Sequence, residues 1–182
     1  MTKFIVLLRG INVSGQKKIK MSDLKSLFED LNFTNVQTYI QSGNVIFSAK
    51  EKSNKKLEHK ISSAIKSKFG FDVQVIVVTP DEIEYVIRNN PFLKKKKESE
   101  RLYVTFLSEN PPAENMKKLN AVDYSPEEYI IDGRYIYMFA PNGYGKAKLN
   151  NNFIENKLKV FGTTRNWRTV NKLFELSKSN SL

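Results

Sequence analysis

Cysteine is absent from this 182-residue sequence, and histidine occurs once, as His59. Without cysteine the chain can form no disulfide, no thiolate metal site and no cysteine nucleophile. His59 lies on the polar side of a predicted helix, so we interpret it as a surface residue. With no cysteine and no histidine cluster, the sequence predicts neither a metal site nor a cofactor.

Long apolar runs are missing as well. Phe4–Leu8 is followed at once by Arg9, and it is shorter than the roughly 7–15 apolar residues of a secretory signal. No later run approaches the roughly 20 apolar residues that cross a bilayer. We therefore expect a cytoplasmic protein that has no membrane partner.

Acidic residues are missing from four windows of the chain, namely residues 1–22, 31–50, 133–154 and 156–174. The formal net charge is +11, which favours anionic partners. However, 24 of the 30 basic residues are lysine and asparagine occurs 18 times. Codon bias in an AT-rich genome accounts for much of that composition, so the positions of the acid-free windows are more informative than the net charge.

Hydrophobic periodicity predicts an α+β fold. Residues 1–78 follow the order β-α-β-β-α-β, which is the ferredoxin-like pattern, and residues 79–100 are predicted to form a linker helix and a Lys-rich loop. Residues 101–182 repeat the order as βαββα, and an extra helix stands where the first half has its last strand. Thr79 and Glu82 predict a capping box at the start of the linker helix, and Asp132-Gly133 predicts a β-hairpin in the second half. We expect two related halves within one compact unit.

Four polar segments lie at predicted element boundaries inside the acid-free windows: Arg9–Asn12, Gln41–Asn44, Asn142–Lys146 and Thr163–Arg168. Backbone amides are free at such boundaries, and a helix N-terminus beside arginine favours an anion. We expect Thr163 or Thr164 to cap the last helix. The sequence contains neither a Walker A motif nor Gly-x-Gly-x-x-Gly. The candidate ligand-binding residues are Arg9, Asn12, Gln41, Ser42, Asn44, Lys146, Thr164, Arg165, Asn166 and Arg168.

A structural role is the alternative for several of these residues. Asn12, Ser42 and Asn44 are also typical of turns. Trp167 falls on an apolar helical stripe, which favours the core over a base-stacking surface. Lys94–Lys97 is typical of a solvated loop, although it is also compatible with a phosphate contact.

Several segments resemble those of a known bacterial family. They are Leu8–Val13, Lys20-Met21, Thr38–Phe47, Asn90-Pro91-Phe92 and Thr164–Val170. They are similar to the family called domain of unknown function 1697, over nearly the whole chain, with Ser14 where many relatives have glycine. The resemblance implies a compact α+β protein of two similar ferredoxin-like halves. It implies no activity and assigns no catalytic residue.

Three functions remain open. The first is binding of a phosphorylated ligand, either a nucleotide or a nucleic-acid segment, the latter by stacking on Tyr39, Phe47, Tyr135, Tyr137 or Phe139. The second is an enzyme that holds a small anionic substrate by electrostatic positioning, with a carboxylate such as Asp72 or Asp132. The third is a polar network between the two halves that binds no ligand. The sequence leaves the oligomeric state open, and we favour a monomer.

Overall fold

The computed structural model describes residues 1–179, which contain eight strands and seven α-helices. In chain order these elements are β1 (Thr2–Leu8), α1 (Met21–Asp30), β2 (Thr34–Tyr39), β3 (Asn44–Ala49), α2 (Asn54–Phe69), β4 (Val75–Val78), α3 (Pro80–Arg88), α4 (Pro91–Lys94), β5 (Leu102–Leu107), α5 (Ala113–Asn120), β6 (Glu128–Asp132), β7 (Tyr135–Phe139), α6 (Asn151–Leu158), β8 (Gly162–Asn166) and α7 (Trp167–Lys178).

Contacts divide the described chain into two compact units. The first unit is Met1–Glu84 together with residues 172–179, and the second is Tyr85–Asn171. Each unit contains one four-stranded antiparallel sheet. The domain boundaries predicted from the sequence, with a linker over residues 79–100, stay a prediction.

The sheet of the first unit has the strand order β2-β3-β1-β4, which is the ferredoxin-like order. β1 lies in the middle, and Phe4 pairs with Phe47 on one side while Val6 pairs with Val77 on the other. Alternate residues of a strand share one face. Phe4, Val6 and Leu8 therefore belong to one core, which α1 and α2 complete with side chains at helical spacing such as Leu24 and Phe28.

The sheet of the second unit has the equivalent order, β6-β7-β5-β8. Ile136 and Met138 of β7 face a core that includes Leu119 of α5 and Ile154 of α6. Both halves are thus ferredoxin-like, as expected, and each sheet has four strands. Asp132-Gly133 does mark a hairpin, in which Asp132 pairs directly with Tyr135 across a two-residue turn.

The expectation that the second half lacks its last strand is wrong. Gly162–Asn166 forms β8, which pairs with β5 from Tyr103↔Asn166 to Leu107↔Gly162, and the extra helix α7 follows it. The strand contains no apolar residue besides glycine, so hydrophobic periodicity could not identify it. Backbone pairing and internal hydrogen bonds of its threonines hold it in the sheet instead.

Local capping signals were more reliable at one helix than at another. Thr79 Oγ1 accepts from the Glu82 amide at 3.2 Å and a Glu82 carboxylate oxygen accepts from the Thr79 amide at 2.8 Å, which is the predicted capping box of α3. The predicted cap of α7 is wrong, because Thr163 and Thr164 belong to β8. Asn166 takes that role, and its Oδ1 accepts from the Thr169 amide at 2.8 Å.

Candidate functional site

Asn12 closes the loop between β1 and α1. Its Oδ1 accepts from the Ile19 amide at 2.8 Å, and its Nδ2 donates to the Ile19 carbonyl at 2.9 Å and to the Gln41 carbonyl at 3.0 Å. The Asn12 side-chain amide thus bonds to both backbone groups of Ile19, as the backbone of a neighbouring strand would. It also ties the loop to the β2–β3 turn, so two predicted segments, Arg9–Asn12 and Gln41–Asn44, lie together.

The backbone of this loop is unusual. Gly10, Asn12, Ser14, Gly15 and Lys17 all have positive φ, between 46° and 75°. For residues other than glycine this conformation is sparsely populated and costs free energy, so it persists only where the surrounding structure enforces it. The side chain of Asn12 supplies part of that enforcement, and the Lys17 ammonium supplies another part by donating to the Asp72 carbonyl at 2.6 Å.

The β2–β3 turn uses its polar residues internally. Asn44 is fully buried, and its Nδ2 donates to the Tyr39 carbonyl at 3.1 Å and to Ser42 Oγ at 2.9 Å. Gly43 has a φ of 80°, and the Leu8 amide donates to its carbonyl at 2.8 Å. Ser42 and Asn44 therefore shape the turn, whereas the exposed Gln41 side chain lies at the edge of an adjacent groove.

That groove, the loop–helix groove, has a volume of about 620 Å³. It lies between the 12–19 loop, the start of α1 and the β2–β3 turn. Its lining combines amide, cationic and apolar side chains with one carboxylate. The lining residues are Asn12, Gly15, Lys18, Ile19, Lys20, Met21, Asp23, Gln41 and Phe69.

Two lysines supply positive charge to the loop–helix groove. Lys18 and Lys20 are exposed, and within residues 1–179 neither forms a salt bridge or side-chain hydrogen bond. Lys20 is also the N-cap of α1, and no side chain caps that helix. The first-turn amides are therefore left to water or a ligand. Asp23, in the first turn, opposes this positive charge with one negative charge.

In the second unit, Thr164 is a structural residue of β8. Its hydroxyl donates to Asn151 Oδ1 at 2.6 Å and accepts from Tyr144 at 3.2 Å. Thr105 lies 2.7 Å away and supplies the second donor, since the Thr164 proton is already used. A hydroxyl has one proton and two lone pairs, so Thr164 has no hydrogen-bonding capacity left for a ligand.

Arg165 is buried, with 7% of its surface exposed, and Nη1 donates to Thr163 Oγ1 at 2.7 Å and to the Thr164 carbonyl at 3.0 Å. Arg168, by contrast, is exposed and has no side-chain partner among the described residues. It lies with Asn166 on a smaller groove of about 380 Å³. The remaining residues of this Arg168 groove are Ser99, Glu100, Tyr103 and Trp167.

The other predicted site residues are placed separately. Lys146 is exposed on a short 3₁₀ turn, Tyr144–Lys146. Arg9 is half-buried, and its amide donates to the Gln74 carbonyl at 3.0 Å. The four segments fall two in each compact unit. Within the units, the structure brings Asn12 beside Gln41, and Asn166 beside Arg168.

Most aromatic residues considered for base stacking are covered. Phe47 is fully buried, and Tyr135, Tyr137 and Trp167 are each exposed by 8% or less. The Lys94–Lys97 segment is engaged in part, because Lys95 and Lys97 form salt bridges to Glu128. These residues therefore offer little free surface to a nucleic acid.

The sequence interpretation missed Lys18, Lys20 and Phe69 as groove residues. The signal was present in Lys17-Lys18-Ile19-Lys20, a basic run directly before a helix that begins without a capping side chain. Phe69 gave no such signal, because it follows the apolar stripe of α2. Residues 1–179 contain no group of three or more His, Asp or Glu that could hold a metal ion. No helix in that range is long and apolar enough to cross a membrane.

Comparisons with known proteins define the family of this chain. A solved structure described as the conserved bacterial protein SP0830 from Streptococcus pneumoniae is 22% identical, with a TM-score of 0.77. The match covers 97% of this chain and 99% of that one, so the two share a fold. No curated protein sequence matches the chain. The family model described as "Protein of unknown function (DUF1697)" matches residues 1–137, and the chain therefore belongs to that family.

Proposed function

We propose that the protein binds a phosphorylated small molecule, such as a nucleotide, in the loop–helix groove. The observation that carries the proposal is the pair of unneutralised lysines, Lys18 and Lys20, beside the uncapped start of α1. A helix N-terminus and lysine ammonium groups both favour phosphate.

The shape of the groove favours a ligand with an apolar portion. Met21 and Phe69 are half-buried and give the groove an apolar wall. Its volume of about 620 Å³ is within the range of roughly 300–1,000 Å³ for small-molecule sites. A phosphate bound by Lys18 and Lys20 and a base or another apolar group against Phe69 would use both kinds of surface.

A small ligand is favoured over a nucleic-acid strand. Stacking of successive bases needs exposed aromatic faces. Phe47, Tyr135 and Tyr137 are buried, so the sheets do not offer these rings to a strand. The enzymatic alternative stays a prediction, and Glu100 beside Arg168 is the carboxylate to test first, by a Glu100→Gln variant in any assay that detects turnover.

The test is titration calorimetry with inorganic phosphate, pyrophosphate, AMP and ATP. We expect Lys18→Gln combined with Lys20→Gln to weaken binding by about tenfold or more, because each lysine removed costs a charge-assisted contact. Asp23→Asn should strengthen binding, since it removes the one negative charge of the groove.

Lys50→Gln combined with Lys52→Gln is the matched control, because both are exposed lysines of the same unit outside the groove. It lowers the net charge by the same step as the double groove variant. The proposal is wrong if none of the four compounds binds, or if loss of Lys18 and Lys20 weakens binding no more than loss of Lys50 and Lys52.

A further inference from the structure

β6 is an open edge of the second sheet. Within residues 1–179 it pairs with β7 alone, over five consecutive residues from Glu128↔Phe139 to Asp132↔Tyr135. Asp132 and Tyr135 flank a two-residue turn, so they form a hydrogen-bonded pair, and such pairs alternate along an antiparallel ladder. Ile130 and Glu128 therefore bond to β7. The N–H and C=O groups of Tyr129 and Ile131 point to the open side.

The equivalent edge strand of the first unit is protected, whereas β6 is not. β2 has a register shift between Thr34 and Gln37, and Asn35 within it has a φ of 52°. Bulges, lysine and proline are the usual devices that prevent an edge from pairing with another chain. β6 contains none of them, and it exposes 37% of Ile130.

A groove of about 780 Å³ runs beside this edge, between β6 and α5. The α5 residues that line it are Ala113, Met116, Lys117 and Asn120, which have the i, i+3, i+4, i+7 spacing of one helix face. Tyr129 of β6 donates a hydrogen bond through its hydroxyl to Asn120 Oδ1, which joins the two walls. Strand and helix thus form a channel with both apolar and polar walls along an unpaired backbone.

Carboxylates surround this channel in a chain whose net charge is +11. Asp123 accepts from the Ser125 amide and hydroxyl, Glu127 accepts from the Lys148 and Leu149 amides, and Asp132 accepts from the Tyr85 hydroxyl. These donors are uncharged, so they orient the three carboxylates without an ion pair, although the charge of Lys148 also acts on Asp123. Glu128 differs, because Lys95 and Lys97 form salt bridges to it.

We propose that an extended segment of a partner protein docks on β6 as a fifth strand of the second sheet. Its backbone bonds to Tyr129 and Ile131, and alternate apolar side chains enter the β6–α5 groove. Lysine or arginine residues at its ends meet Asp132 and Asp123. A second copy of this chain fits less well, because antiparallel self-pairing about Ile130 places Glu128 of each copy opposite Asp132 of the other.

The test begins with a random peptide library displayed on phage and panned against the full-length protein. We expect enrichment of peptides in which β-branched or aromatic residues alternate and basic residues flank them. The most enriched peptide is then synthesised, and its affinity is measured by fluorescence anisotropy. Ile130→Lys should weaken binding by about tenfold or more, because lysine on an edge strand opposes pairing and repels a basic peptide. Gln37→Lys, on the equivalent edge strand β2, should leave the affinity unchanged.

N-methylation of the peptide, one amide at a time, tests the binding mode on the wild-type protein. In a docked strand, every second amide N–H donates a hydrogen bond to β6 and the others point away from it. Methylation should therefore abolish binding at every second position. The proposal is overturned if no peptide is enriched, or if the loss of binding on methylation does not alternate along the peptide. It is overturned as well if Ile130→Lys keeps the native melting temperature and binds the peptide with full affinity. It is also overturned if sedimentation shows a dimer that Ile130→Lys dissociates, since the occupant of the edge is then a second copy.

Discussion

At the scale of single residues, two glycines near the loop–helix groove have the same backbone requirement and different surroundings. Gly10 and Gly43 have φ values of 70° and 80°. A Cβ on Gly43 would lie 2.7 Å from Leu8 Cβ and 2.9 Å from the side chain of Ile11, whereas a Cβ on Gly10 would meet nothing within 4 Å. Gly10 therefore needs only conformational freedom, but Gly43 also needs space.

This difference predicts the outcome of two alanine variants. Gly10→Ala should lower the free energy of unfolding by roughly 1–2 kcal/mol, which is the cost of a left-handed L-residue. Gly43→Ala should cost that amount and about 1–3 kcal/mol more, because the added methyl group overpacks the core. Urea denaturation followed by circular dichroism measures both. Equal losses in the two variants would show that the contact with Leu8 and Ile11 relaxes at no cost.

The candidate residues also show what a sequence can reveal about a site. Asn12, Asn44 and Thr164 are distinctive in the sequence, and the structure uses their side chains for internal hydrogen bonds. Lys18 and Lys20 look ordinary among 24 lysines, and they face an open groove. Whether a polar group is free or already bonded depends on its neighbours in space, which residue type and spacing do not determine.

At the scale of secondary structure elements, the start of α7 depends on Asn166. Its Oδ1 accepts from the Thr169 amide, and Thr169 is itself buried. Asn166→Ala should lower the free energy of unfolding by about 1 kcal/mol, because one first-turn amide loses its partner. Asn166→Asp keeps the acceptor and adds a charge that the helix N-terminus favours, so it should retain stability. Thermal melts of the two variants beside the wild-type protein compare them directly, and equal destabilisation would exclude a capping role.

The elements that the sequence predicted are those with a local cause. Turn chemistry placed the hairpin at Asp132-Gly133, and the Thr79–Glu82 box placed the start of α3. β8 has no such cause. Its partner β5 is more than fifty residues earlier in the chain, and Thr105 and Thr164 satisfy each other only after the two strands pair. Hydrophobic periodicity and turn chemistry therefore do not mark residues 162–166 as a strand, because the strand depends on its pairing with β5.

At the scale of the whole molecule, ionisable groups should limit stability at both ends of the pH range. A hydrogen bond from Lys97 holds the pKa of Glu128 below its ordinary value of 4.5. Backbone and side-chain bonds from Ser53, Lys118 and Ser125 likewise lower the pKa of Glu51, Glu114 and Asp123, respectively. At the other end, burial raises the pKa of Tyr124, Tyr129 and Tyr137 above 10.0, and a hydrogen bond to Asp132 raises that of Tyr85.

The two groups of residues predict that the stability of the fold is constant at intermediate pH and declines at both low and high pH. A carboxyl whose pKa is lower in the folded state stabilises it above the unfolded pKa, and this contribution is lost as the pH falls through the folded value. A tyrosine whose pKa is higher in the folded state stabilises it fully below the unfolded pKa. This contribution is lost as the pH rises through the folded value. The melting temperature should therefore fall below about pH 4.5 and above about pH 10, and Glu128→Gln should flatten the acid limb.

Scanning fluorimetry across the pH range, at constant ionic strength, tests this expectation. Glu109→Gln is the matched control, because Glu109 is an exposed carboxylate without a salt bridge among the described residues. Between about pH 6 and pH 8 the curve should be flat, because the carboxyls with lowered pKa values and the tyrosines with raised pKa values do not change charge in that interval. A decline in that interval would contradict the prediction and would indicate a buried charge change that these carboxylates and tyrosines do not supply.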